Sequence, residues 1–406
     1  MRHRWYLAIA ATAAASATPA LPPLAAETAP PDAVAALAEQ LKAGAKPLVF
    51  NGPDKGYAPD LLRRLNIPED SQVLVFSKTS LQVAFIKPTN PRAIYFNDSV
   101  ALGVIPGAPL IEMWAVGRDG AVRFYTLKNT QGPTPQVQAE TDQCEVCHKS
   151  LNPSAPGPLM QSVSTLSTGT FLFAASNRFT DARTPIGERW GGWYVTGQHG
   201  AMHHRGNVTL ETAAGADPPA ALGQNLTALT GRFDAARYSR ATSDIVALMT
   251  LEHESGFLNL ANALRARATA GAEQAAVTEA VDQLADYILG VDAAQFTAPI
   301  RGVSGFTERF AAEGRKDGKG RSLRDFDLHT RLFRYPVSYM IYSPAFDALP
   351  AGVKTRVYRR LADVLSGEDH SGRYAHLTQA DRLAASEIVA ATKADLPSFW
   401  RTSNPD

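Results

Sequence analysis

The residues best suited to chemistry are concentrated in TDQCEVCHKS, residues 141–150, which contains both cysteines of the 406-residue chain. Two thiols separated by two residues, with a histidine directly after the second, form the Cys-x-x-Cys-His pattern of covalent haem attachment. Cys144 and Cys147 would add across the two vinyl groups of a haem c. His148 would bind the iron as its proximal ligand. Two alternatives compete. A redox dithiol sits where an apolar strand meets a helix N-terminus, whereas GPTPQVQAETDQ precedes this one. A zinc site needs two more ligands, and only a histidine-rich run far downstream offers them.

The second axial position would decide function, because a strong protein ligand favours electron transfer and an open face permits catalysis. GQHGAMHHRGN, residues 197–207, is the natural source, with His204 the first choice and His199 the second. Gly197, Gly200 and Gly206 would let backbone approach a flat cofactor. His253, between Met249 and Phe257, is expected to face inward, with a buried structural role favoured over ligation. Met160 lies close in sequence for a ligand on the opposite face. In ARTPIGERWGGWYV, Arg183 and Arg189 could pair with haem propionates, and Trp190, Trp193 and Tyr194 could line the porphyrin edge or fill a seam of the core.

The elements that must position these residues divide the chain. The first 26 residues combine Arg2 and Arg4, an apolar run from Trp5 to about Ala17 and a small-residue segment. This is the layout of an export signal, too short for a membrane span. Losing them takes the formal charge from +1 to −1, a balance that argues against a nucleic-acid partner. No other stretch is apolar enough to cross a bilayer. The expectation is a periplasmic or otherwise exported, soluble protein.

Residues 27–135 read as a β-rich domain. SQVLVF, LQVAFI, RAIYFN, PLIEMWAVG and AVRFYTL are its strand candidates, and GRDG is a hairpin turn. Residues 136–406 carry a loop-rich haem segment and then helices. SDIVALMTLEHESGFLNLANALRARA has Val246, Met249, His253, Phe257, Leu260 and Leu264 on one face, with Thr242 or Ser243 as cap. AEQAAVTEAVDQLADYILG, VKTRVYRRLADVL and TQADRLAASEIVAATK follow, and Pro336 interrupts the segment between. The fold class is α+β.

SKTSLQ, PRAIYFND, TDQCEVCH, RWGGWYVTGQHG, RGVSGF and LFRYPVSYMIYSPAFDALP together resemble a family of exported bacterial proteins with one haem c motif, described as cytochrome c-like. The resemblance runs from about Gln72 to Trp400. It implies haem c at Cys144, Cys147 and His148, and electron transfer. Family members often carry RHMGN where this chain has HHRGN, so His204 matches a family histidine and Arg205 stands in place of a methionine.

The leading expectation is a monohaem cytochrome passing one electron to a redox partner protein. A minimal one-haem domain needs only about a hundred residues. The surplus motivates a second reading, a peroxidase-like or oxygenase-like oxidoreductase using His253, His199, Arg189 or Glu252 over an open iron face. A haem-based sensor or a subunit of a larger complex is a third.

Overall fold

The computed structural model describes residues 32–132, 135–140, 142–212 and 222–402. The expected export signal, residues 1–26, lies outside them.

Six strands follow one another in the N-terminal part: β1 (Val73–Val75), β2 (Arg92–Asn97), β3 (Val100–Val104), β4 (Leu110–Val116), β5 (Val122–Lys128) and β6 (Val137–Glu140). A short ribbon, β7 (Gln161–Ser162) with β8 (Arg178–Phe179), lies further on. The antiparallel sheet is completed by β9 (Trp193–Tyr194), giving the order β6-β5-β4-β3-β2-β1-β9. Residues 27–135 therefore do not finish the sheet by themselves, because β6 and β9 both lie beyond residue 135.

Side-chain alternation sorts this sheet into two faces. Trp114 pairs with Phe124, Glu112 with Thr126 and Val75 with Trp193. These residues share a face with Val73 and Phe96. The other face carries Leu74, Tyr95, Leu102, Ile111, Met113, Tyr125 and Leu127, in a separate core. GRDG closes the β4–β5 hairpin, with Gly120 N–H donating to Gly117 O at 2.8 Å. LQVAFI forms turns rather than a strand, since β1 is already paired on both sides, by β2 and β9.

The N-terminal helices are α1 (Ala33–Lys42), α2 (Gly52–Lys55) and α3 (Ala58–Arg64). Asp32 caps α1 by accepting from Val34 N and Ala35 N. Val34 and Leu37 of α1 join the second core. α4 (Asp142–His148) carries the Cys-x-x-Cys-His motif.

The C-terminal half is mostly helical: α5 (Ile245–Thr269), α6 (Gln274–Ile288), α7 (Phe306–Ala312), α8 (Pro344–Asp347), α9 (Ala351–Ser366), α10 (Gln379–Thr392) and α11 (Ser398–Thr402). The class is α+β, as expected. α5 departs from the expected single stripe, because every residue from Ile245 to Leu258 is buried. It forms the axis of the main core, where Ile245 to Leu264 meet Phe124, Trp190 and Trp193 from the sheet side. Its cap is Asp244 rather than Thr242 or Ser243. One Asp244 oxygen accepts from Val246 N at 2.8 Å, and the other accepts from Val303 N and Ser304 N at 2.6 and 2.8 Å. Among the described residues, no helix is long and apolar enough to cross a membrane.

Candidate haem-attachment site

α4 places Cys144 and Cys147 one turn apart, positions that are neighbours on a helix surface. Both thiols are free, Cys144 half-buried and Cys147 exposed. Burial, with Glu112 and Glu140 nearby, pushes the Cys144 thiol up to about 11. A redox dithiol requires the opposite shift, toward the thiolate. For Cys144 the shift therefore runs against the dithiol alternative.

His148 ends α4. Its Nδ1–H donates to Gly157 O at 2.7 Å, and its ring packs on Phe124 with centroids 4.3 Å apart. Desolvation holds its pKa below the usual histidine range, favouring the neutral ring. With the proton on Nδ1, the lone pair is on Nε2, which bonds to nothing among the described residues. Metal-ligating histidines are commonly oriented in this way, by a carbonyl on the other ring nitrogen. The loop bearing Gly157 is fastened to α5. Asn259 Nδ2 donates to Pro158 O at 2.7 Å, and Asn262 Nδ2 to Pro156 O at 3.2 Å. Beneath α4, Arg92 and Glu112 form an ion pair at 2.7 Å.

The donor set fits a haem c: two unpaired thiols a turn apart, and a neutral imidazole with its coordinating nitrogen unengaged. The sequence had no signal for Phe124 or for the Gly157 carbonyl, apart from the loop character of PSAPGP.

The expected second ligands are placed differently. His199 and His204 are buried side by side, ring centroids 4.9 Å apart, with His204 edge-on to Trp190. His199 Nε2 accepts Asn225 N–H at 3.1 Å, and His204 Nδ1 accepts Gly206 N–H at 3.0 Å. A neutral imidazole has one in-plane lone pair, and in each ring a backbone N–H already occupies it. The opposite nitrogens, His199 Nδ1 and His204 Nε2, then carry the hydrogens and are sealed without partners. Burial, reinforced by His199 and His203, drives the His204 pKa down to about 3. Neither ring contacts His148. In this arrangement neither ring has an in-plane lone pair free.

The glycines of this run accommodate protein rather than cofactor. A side chain at Gly197 would run into Ile245, at Gly200 into Ala298 and at Gly206 into Val195. Arg205 fastens a neighbouring loop, donating to Ser176 O at 2.8 Å and Ser164 Oγ at 2.7 Å.

Arg189 and Trp193 are likewise committed elsewhere. Arg189 is buried, pairs with Glu252 at 2.9 Å, and donates to Thr184 O and Ala182 O. Each of its three guanidinium nitrogens is thus already engaged within the core. Trp193 is a core residue on β9, five strands along the sheet from Phe124, with its indole N–H on Gln161 O at 2.7 Å. Trp190 and Tyr194 are buried too, so the seam-filling alternative describes these aromatics. Met160 is buried in the main core. His253 is buried as expected, with Nε2 2.6 Å from Ser338 Oγ.

Among the described residues, no group of three or more His, Cys, Asp or Glu is disposed to hold a metal ion by itself. In comparisons with protein-family models, curated proteins and solved structures, nothing matches this chain.

Proposed function

We propose that this chain is an exported single-haem c-type cytochrome that passes one electron to or from a partner protein. Cys144 and Cys147 would hold the haem covalently, and His148 would bind the iron. The observation that carries this reading is the His148 Nδ1–H bond to Gly157 O, which leaves Nε2 free to coordinate, beside two free thiols on the same helix.

Haem c supplies a one-electron iron couple whose potential depends on axial ligand, hydrogen bonding and burial. The protein's own contribution is positional. Gly157 fixes the imidazole tautomer, Phe124 limits ring rotation, and Asn259 and Asn262 hold the carbonyl loop against α5. Half-burial of Cys144 keeps its thiol protonated and unreactive until the attachment chemistry engages it.

The enzyme reading keeps one specific support. His199 and His204 both have their ring lone pairs occupied, which favours an iron face without a histidine from this cluster. An iron with an open face binds small ligands and can activate them.

The test is expression with the leader intact, in a bacterium that attaches haem c outside the cytoplasm. The mature chain should gain the mass of one haem and keep its absorbance through acid-acetone extraction. Cys144→Ala with Cys147→Ala should lose both. Haem lost to the solvent from the native protein would overturn the proposal. Rapid carbon monoxide binding by the ferrous protein would favour the enzyme, and indifference to it would favour the electron carrier.

A further inference from the structure

A second site lies apart from α4. A cavity of about 210 Å³ opens between the middle of α5, the end of α6 and the irregular segment 330–338. None of its lining comes from α4 or from the loop that holds His148. The walls are largely apolar and aromatic, with Tyr287, Phe296, Phe333 and Tyr335 facing the space. Three arginines line it and no carboxylate does. Their acidic partners, Asp181, Glu252 and Asp381, hold them from outside the lining.

Two donors are unengaged. His253 is 6% exposed, stacked on Tyr287 with centroids 5.4 Å apart and met edge-on by Phe333. Ser338 Oγ already accepts Met340 N–H at 3.2 Å, so its own proton can go to His253 Nε2. With Ser338 donating, the ring N–H is on Nδ1, which bonds to nothing among the described residues and is not among the sealed, partnerless atoms. It is therefore turned to the cavity. Burial takes the His253 pKa down to about 4, so the ring is a neutral donor at pH 7. At the rim, Arg183 holds Asp181 with Nε and Nη2, lies over the Tyr287 ring at 5.2 Å and leaves Nη1 unengaged.

An apolar cavity with a few convergent polar groups is the usual form of a small-molecule site. A ligand acceptor would pair donors that the protein leaves open to this space. We propose that this cavity binds a small aromatic carboxylate. Its ring would lie between the aromatic walls, its carboxylate at the Arg183 rim, and a polar substituent at the far end would accept from His253 Nδ1–H. The inference stands independently of haem attachment, since no residue of the thiol segment takes part.

The probe is 4-hydroxybenzoate, titrated calorimetrically into the purified mature protein, with benzoate and 4-hydroxybenzyl alcohol as comparators. One-to-one binding is expected, about tenfold tighter than for the uncharged alcohol. Arg183→Gln, at a half-exposed side chain, should bring acid and alcohol within about threefold. His253→Phe, which has no side-chain donor, should erase the preference over benzoate. Ala294→Trp, at the half-buried rim, should abolish binding, with circular dichroism showing that the chain is folded. No saturable binding up to about 10 mM would overturn the proposal. So would equal affinity for acid and alcohol in the wild type, or undiminished binding by folded Ala294→Trp.

Discussion

His148 Nδ1 lies 2.7 Å from the carbonyl oxygen of Gly157, and the loop carrying that carbonyl is held to α5 by Asn259 and Asn262. The imidazole beside the thiols is thus oriented from the middle of the main core, through a helix more than a hundred residues downstream. A side chain on Gly157 would meet the Asn259 amide, so it would have to displace the group that fastens the loop.

Replacing Asn259 tests this linkage. Asn259→Ala removes the bond to Pro158 O and should lower stability by about 1 kcal/mol, read by urea unfolding. The His148 Nδ1 proton should exchange faster with water in the variant, as seen by nitrogen-edited NMR. Unchanged exchange would mean that the loop holds itself.

The buried Arg189–Glu252 pair gives a second prediction. Arg189→Ala leaves the Glu252 carboxylate in the core without its cation and should cost about 3–5 kcal/mol. Desolvation already raises the Glu252 pKa, so the variant should recover part of the loss in acid, as the carboxyl takes up a proton. The double variant Arg189→Met, Glu252→Met should regain most of the stability, because an apolar pair carries no desolvation cost. Denaturant midpoints of the three proteins at pH 5 and 7.5 decide it.

The His204 ring gives a pH dependence of known sign. Its folded pKa of about 3 lies below the ordinary 6.5, so the unfolded chain binds the proton first. Stability is therefore intact above about pH 6.5 and falls as pH drops toward 3, by about 1.4 kcal/mol per unit for one group. His204→Gln removes the titrating group and should flatten part of that fall. The remainder should include His253, whose folded pKa is about 4. Parallel acid curves for variant and wild type would contradict this assignment.

Gly197 has φ of 152°, and a Cβ there would meet the Ile245 side chain and, at 2.9 Å, Arg301 O. Gly197→Ala should destabilise by about 1–3 kcal/mol through overpacking. If the space instead belonged to a cofactor, the same change would lower cofactor retention and leave the stability of the haem-free chain unchanged. Thermal melts of haem-free protein separate the two.

Much of the architecture was legible because its signals are local. Alternation marked β2, β4 and β5, GRDG marked their hairpin turn, and apolar spacing marked α5, α6, α9 and α10. LQVAFI misled because its pattern is that of a strand while both edges of β1 were already taken. The α5 stripe understated burial because the helix is surrounded, and Glu252 and Glu254 go inside with Arg189 and Tyr339 as partners. No periodicity reports partners from 63 or 85 residues away.

The sequence by itself determined the thiol spacing and the adjacent imidazole, since covalent neighbours on one helical turn need no tertiary contact to share a face. It also determined the α+β order of elements, through local periodicity. Only the tertiary structure decided what each histidine's lone pair does. His148 donates from Nδ1 to a carbonyl and keeps Nε2 open, whereas His199 and His204 accept backbone N–H groups. The same ring chemistry takes opposite roles because burial forces each nitrogen to find whatever group the fold brings beside it.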